Sequence, residues 1–506
     1  MSPLARRLDI TREAVFLFNF TSNPGVQDEV LDELKSKLKP YAFPDASARL
    51  PNVVVWKAGK VTVAHFRPDL PVPEAELLSG FGLRGFLRYE RNRAMRVSAI
   101  PDDPLYGEQW ALRRIGLEEA WHSIQTPPAS AVTVAVVDSG TATAHPDLAG
   151  ALWTNLLPTI GDYHGARFIG MVQDGAIEDD DGHGTRLAGT IAAVTNNAGG
   201  IVSAGWPAAI SIMTLKFFDL TTPPSSASAA QAIAYAVRER ARVINLSWDV
   251  GMPLDVLRVA LDYAAAQDVV VVAAAGNDGT DNDELPTWPA NYSMGNLISV
   301  MATDVYDDRA SFSDYGATTV HLAAPGVGVL TTDLTLSSLA QYRGYGGTSA
   351  ACALVSAAAA LLRALNPGWP ASLVREHLMA SADVLPSLQT FAGGRLNRCA
   401  GRLNVGRAVR GPLDLIVPRA GDQWRATTLV PVEWRSEYRT AACERVEIRI
   451  SDDGGATYAE RLIQGVTNDG ACTVKAPNRR IRNARLRIQS EQGHFYADSE
   501  PFEVRR

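Results

Sequence analysis

Five short, unbroken apolar runs within residues 132–302 constrain the fold of this chain more than any other feature. They occupy residues 132–137, 210–215, 243–246, 269–274 and 297–302 and consist mainly of Val, Ile, Leu, Met and Ala. A strand with one face in water alternates polar and apolar residues. Runs that lack this alternation fit strands covered on both faces. Residues 184–194, 226–239, 253–266 and 349–365 carry helical patterns between or after them. Strands alternating with helices imply an α/β domain with a parallel sheet. The longest apolar candidate, residues 269–275, is far shorter than a membrane span and suits a buried strand.

At 506 residues the chain exceeds what one core usually holds. Residues 14–99 read as β-α-β-β-α-β, with an amphipathic helix at 26–38 and a shorter one at 73–78. The turn-rich stretch Ile100-Pro101-Asp102-Asp103-Pro104 makes a natural boundary. From Pro412 onward helical periodicity disappears. Runs at 413–417, 429–434, 446–451, 472–475, 484–488 and 502–504 suggest an immunoglobulin-like β-sandwich. The expected domains are therefore 1–100 (α+β), 101–411 (α/β) and 412–506 (all-β).

A formal net charge of −7 leaves no basic footprint for nucleic acid. The first residues, Met1-Ser2-Pro3-Leu4-Ala5-Arg6-Arg7, lack the apolar stretch of a secretory signal. Four cysteines are too few for a disulfide scaffold. Cys443 and Cys472 could pair or remain separate thiols, and the sequence leaves both readings open.

Three segments carry chemistry. Asp138-Ser139-Gly140 ends the first apolar run, His183-Gly184-Thr185 follows an acidic loop, and Gly347-Thr348-Ser349 precedes an Ala-rich helix. A serine hydroxyl is a weak nucleophile until a base takes its proton as it attacks. An imidazole titrates near neutrality and can be that base. A carboxylate can hold the ring in one tautomer and stabilise the imidazolium. Taken singly, Asp138 would read as a helix cap, His183 as a surface histidine and Ser349 as an N-cap; the ordered set overrides those readings. An α/β-hydrolase esterase would need Gly-x-Ser-x-Gly and the order Ser…Asp…His. Here the order is opposite, and Ala351 stands at the final glycine position.

Residues 134–140 with His145-Pro146-Asp147-Leu148, residues 181–185 with Ala188-Gly189, residues 273–277, and Gly347-Thr348-Ser349 with Ala351 resemble four segments of the subtilisin-like serine proteases. They match, in chain order, the aspartate, histidine, oxyanion-asparagine and serine segments, and the resemblance covers about residues 103–411. It implies a parallel sheet flanked by helices and serine endopeptidase activity on protein or peptide substrates. Asp138, His183 and Ser349 would form the triad, with Asn277 as oxyanion donor. A non-catalytic scaffold with a decayed site is the competing class, and the presence of all four groups argues against it.

The resemblance also implies substrate-binding roles for Ser247, Trp248, Asp249 and Gly276. Asp249 stands where relatives commonly have glycine, and Asp278 follows Asn277; two acids near the pocket would favour Lys or Arg by charge pairing. Arg186 replaces a second histidine, as in the kexin-like branch. Ala350, Ala353 and Leu354 depart from the family's Met and Pro-His around the nucleophile, and none of those positions carries a proton. Residues 195–201 with Asp147 resemble a structural Ca²⁺ site. The implied ligands are Asp147, Asn197 and the carbonyls of Thr195, Gly199 and Ile201; catalysis needs no cofactor. Residues 1–100 resemble an inhibitory propeptide, with 95–99 as the cleft strand, cleavage near Ala99 and self-processing of a zymogen. The C-terminal segment resembles modules appended to secreted hydrolases, so the resemblance implies export although no signal is visible.

Overall fold

The computed structural model describes residues 14–19, 27–38, 53–58, 61–66, 86–91, 101–124, 127–334, 341–388, 401–436 and 441–506. The chain divides into two compact units, Met1–Val97 and Ser98–Arg506. The sequence boundary expected at residues 411/412 falls inside the second of them.

In the first unit, strands β1 (Ala14–Asn19), β2 (Val53–Ala58), β3 (Val61–Phe66) and β4 (Phe86–Arg91) form an antiparallel sheet in the order β2-β3-β1-β4. The helix Gln27–Leu38 connects β1 to β2 and buries Val30 and Leu34, one turn apart, while Asp32, Glu33 and Lys37 face outward. This is the strand order of a split βαβ unit. The expected helix at 73–78, the strand at 95–99 and the cleavage point at Ala99 lie outside the described residues.

The second unit is built on an eight-stranded sheet in the order β12-β11-β10-β9-β5-β8-β6-β7. Its strands are β5 (Val132–Asp138), β6 (Gly165–Ile169), β7 (Val172–Asp174), β8 (Ile210–Lys216), β9 (Val243–Leu246), β10 (Val270–Ala274), β11 (Leu297–Thr303) and β12 (Leu322–Pro325). All pairings are parallel except β6 with β7. The five apolar runs of the sequence are its centre. Missed were the β6–β7 hairpin, whose β7 is three largely exposed residues, and β12, which is only four residues long.

Side-chain alternation explains why the runs are apolar throughout. On one face Val134, Val136, Val272, Ala274, Ile298 and Val300 pack with the buried helix Thr348–Leu365. On the other, Ala135, Val137, Ile244, Leu246, Val271 and Ala273 pack with the helices Ser226–Arg238 and Asp255–Ala266. Alanines at 350, 351, 353, 357, 358, 359 and 360 let the central helix lie close to the sheet. Among the described residues it is the one helix long and apolar enough to cross a membrane, and its position inside the core accounts for that composition.

A short hairpin, β13 (Val329–Thr332) with β14 (Tyr342–Tyr345), precedes that helix. Beyond Gly411 the chain forms two all-β sheets. The three-stranded one contains β15 (Leu413–Val417), β17 (Leu429–Ser436) and β20 (Ala471–Lys475). The other holds β16 (Gln423–Arg425), β18 (Arg445–Ser451), β19 (Glu460–Thr467), β21 (Ile481–Ser490), β22 (Tyr496–Asp498) and β23 (Phe502–Arg505). Phe495 stacks on His377 at 4.7 Å and meets Trp369 edge-on at 5.2 Å, which joins the β-sheets to the α/β core. Cys443 and Cys472 are separate thiols.

Candidate active site

Strands β10, β9 and β5 are neighbours, and their C-terminal ends bring separate pieces of sequence to one edge, where ligands of open α/β sheets bind. Asp138 ends β5, residues 247–249 follow β9, and Gly276 and Asn277 follow β10. The fourth piece is the N-terminus of Thr348–Leu365, which carries Ser349.

Asp138 is 1% exposed. Its Oδ1 accepts from the Ser139 amide at 2.8 Å and faces His183 Nδ1 at 2.7 Å. A proton on Nδ1 leaves Nε2 as the basic atom. His183 opens the helix His183–Ala192. Asp179 caps that helix: its carboxylate accepts from the amides of Gly182 and Thr185, both at 2.9 Å, and from the Thr185 hydroxyl at 2.6 Å. Burial pushes the Asp179 carboxyl up, but these hydrogen bonds outweigh it and hold the group below its usual range. For His183, burial alone would lower the pKa. The charge and hydrogen bond of Asp138, with further charge from Asp181 and Asp179, raise it above the ordinary histidine value.

Gly347, at φ +132°, turns the chain into the serine helix and donates its amide to Gly326 at 2.8 Å. Ser349 and Ser247 are reciprocally bonded. The Ser349 hydroxyl donates to the Ser247 carbonyl at 3.1 Å, and the Ser247 hydroxyl donates to the Ser349 carbonyl at 3.2 Å. Buried Asn245 donates to the Ser247 hydroxyl at 2.9 Å and accepts from Ser356 at 2.9 Å, tying β9 to the helix. Among the described residues no hydrogen bond joins Ser349 to His183; such contacts commonly tighten only when substrate is bound. The ring of Tyr345 packs edge-on against His183, with centroids 5.8 Å apart.

Asn277 Oδ1 accepts from the Thr348 amide at 2.9 Å and from its hydroxyl at 3.1 Å. The amide is thereby oriented, and its Nδ2 group is left to donate to another acceptor. Trp248 donates its indole N–H to the Val137 carbonyl at 3.0 Å, fixing the segment that carries Asp249. Asp249 is not alone. Asp314, 1% exposed, accepts from the amides of Asp278 and Thr280 at 3.0 and 2.8 Å. Burial, then the charges of Asp278 and Asp314, raise the Asp249 carboxyl.

Beyond the C-terminal end of the His183 helix, Asp147 Oδ1 accepts from Asn197 Nδ2 at 2.8 Å and its Oδ2 from the Ile201 amide at 2.9 Å. Asp103 joins this loop, with Oδ2 accepting from the Asn196 amide at 2.9 Å. Its Oδ1 is buried without a hydrogen-bond partner. The carbonyls of Thr195, Gly199 and Ile201 accept no hydrogen bond among the described residues.

Sequence reasoning missed Asp103, Asp179, Asp314 and Tyr345 as parts of these sites. Asp103 looked like part of a linker turn and Asp179 like one of a run of solvated acids. Tyr345 had a signal, because only two glycines and a threonine separate it from Ser349.

Residues 129–403 match the subtilase family. Thermitase from Thermoactinomyces vulgaris is 36% identical over 299 residues, covering 59% of this chain and 97% of that protein. Subtilisin Savinase from Lederbergia lenta is 34% identical over 288 residues, covering 57% and 96%. Halolysin from Haloferax mediterranei is 32% identical over 333 residues, covering 66% and 59%. Among solved structures, a protease from Pseudoalteromonas arctica superposes with a TM-score of 0.50 at 25% identity, covering 61% of this chain and 98% of that one.

Proposed function

This chain belongs to the subtilase family and is a subtilisin-like serine endopeptidase; on that premise we propose that Ser349 is its nucleophile, His183 its general base and Asp138 the group that orients the base. The observation that carries this assignment is the 2.7 Å contact between His183 Nδ1 and a buried Asp138 carboxylate at the C-terminal end of β5, with Ser349 in the first turn of the helix packed on that sheet.

The geometry supports the following roles. Asp138 keeps the Nδ1 proton in place, so Nε2 accepts the Ser349 proton as Oγ attacks the peptide carbonyl. The imidazolium then donates that proton to the leaving amine. Negative charge on the tetrahedral oxygen is met by Asn277 Nδ2, whose orientation Thr348 fixes, and by the Ser349 amide. Water repeats the sequence on the acyl-enzyme. The test is cleavage of a peptide library by wild-type and Ser349→Ala protein: cleavage by the first alone supports the assignment, and cleavage by both refutes it.

The pocket beside Ser349 is proposed to take a Lys or Arg side chain before the scissile bond. Asp249 feels the charges of Asp278 and Asp314, and a cation relieves the repulsion that, after burial, raises its carboxyl.

A structural Ca²⁺ fits the loop at residues 195–201. The donor set is all hard oxygen: Asp147, Asn197, the carbonyls of Thr195, Gly199 and Ile201, and the orphaned Asp103 Oδ1. When bound, the ion supplies positive charge that compensates the two carboxylates. Asn197 would turn its amide to present Oδ1.

The N-terminal unit is read as a propeptide that assists folding and inhibits until self-processing removes it. Its physical rationale is the many non-local pairings of a parallel sheet, which fold slowly without help.

A further inference from the structure

One aromatic ring serves two side chains of the catalytic helix. His183 and Arg186 lie one turn apart, and the Tyr345 ring touches both. Its centroid is 5.8 Å from that of the imidazole, with the planes at 82°. The Arg186 guanidinium carbon is 5.6 Å from the same centroid, within the range of a cation–π contact. Arg186 is itself held, with Nη2 at 2.8 Å and Nε at 2.9 Å from Asp333 Oδ1. Asp333 is 6% exposed, and Arg343 faces its other oxygen at 3.4 Å.

The hydroxyl end of Tyr345 borders the reacting groups. A Cβ at Gly347 would lie 3.8 Å from that hydroxyl, 3.6 Å from Asn277 Oδ1 and 3.7 Å from the Ser349 amide, so all three surround one small volume. Ser349 has a single hydroxyl proton, and it points to the Ser247 carbonyl. The bond to Asp138 fixes His183 at one atom only and leaves the ring free to turn about it. A second contact, across the ring, is what sets the plane and hence the direction of Nε2.

Resting on the serine-endopeptidase reading above, we propose that Tyr345 is a positioning residue: braced by Arg186 and Asp333, its ring fixes the plane of the His183 imidazole.

The test compares Tyr345→Phe, Tyr345→Leu, Arg186→Gln and the double variant Tyr345→Leu/Arg186→Gln, made in the full chain, by initial rates on a cleaved peptide and by labelling with a fluorophosphonate. Tyr345→Leu is expected to lower kcat about ten- to hundredfold, the usual loss for a displaced catalytic group, with KM changed less than about threefold. Tyr345→Phe, which keeps the ring, recovers most of that loss. Arg186→Gln lowers kcat in the same direction, and the double variant is no slower than Tyr345→Leu alone because Arg186 acts through the ring. Loss carried by KM, a Phe variant as slow as Leu, or additive effects would overturn the proposal. Tyr345→Met replaces the Leu variant if that protein does not fold. Wild-type protein that neither cleaves nor labels refutes the endopeptidase reading itself, an outcome separate from any difference among these variants.

Discussion

Gly140 and Gly184 meet backbone against backbone: a Cβ at Gly184 would run into the Gly140 carbonyl oxygen. Gly140, at φ +125°, is equally confined, since its own Cβ would lie 2.7 Å from the Ile177 carbonyl oxygen. This contact sets the distance between the loop that follows Asp138 and the first turn of the helix that begins with His183.

Gly184→Ala should therefore separate the two groups as well as strain the fold. The expected outcome is a lowered melting temperature, by the several degrees that about 2–3 kcal/mol produces in a domain of this size, together with at least a tenfold loss of kcat. Thermal unfolding and initial rates check both; an active, equally stable variant would show that the contact is not limiting.

The raised pKa of His183 fixes the sign of the pH dependence. The base must be neutral, so kcat/KM should rise with pH along a limb whose midpoint lies above the ordinary histidine value of 6.5. Folding stability runs the other way. A histidine with a higher pKa when folded stabilises fully below its unfolded pKa, and that contribution is lost as pH rises through the folded value. A pH–rate profile with a limb below 6.5 would contradict the arrangement.

Much of the site was legible in the sequence because its groups sit at the ends of strongly apolar strands, where pattern and chemistry coincide. Asp138, Asn277 and Ser349 each mark a switch from an apolar run to a turn, or from a turn to a helix. Asp103 and Asp314 were not legible, because their roles depend on contacts across 34 to 93 residues; Tyr345 stands near Ser349 in sequence, but its role depends on the orientation of its ring. Strands β16 and β22 escaped notice for another reason. They are three residues each, too short to show a period.

Chelation tests the loop that bears Asp103. EDTA is expected to lower the melting temperature of the wild-type protein, and added Ca²⁺ to restore it. Asp103→Asn should bind Ca²⁺ more weakly by equilibrium dialysis and show a smaller EDTA effect, since its carboxylate oxygen is the one without a partner. An unchanged melting temperature in EDTA would exclude a stabilising ion.

Pocket charge predicts specificity. Wild-type protein should prefer Arg or Lys over Phe before the scissile bond, and Asp249→Asn should reduce that preference by about tenfold, the effect of losing roughly 1.4 kcal/mol of charge pairing. Parallel kcat/KM measurements on three peptides differing at that position decide it. Equal losses on all three would assign Asp249 a structural role.

The central claim is that Ser349 is a nucleophile activated by His183 and Asp138. Its most direct measurement is intact-mass and peptide analysis after treatment with a fluorophosphonate. The expected result is a single adduct on Ser349 in the wild-type chain, none in Ser349→Ala, and labelling slowed by orders of magnitude in His183→Ala. An adduct elsewhere, or equal labelling in the His183→Ala protein, would contradict it.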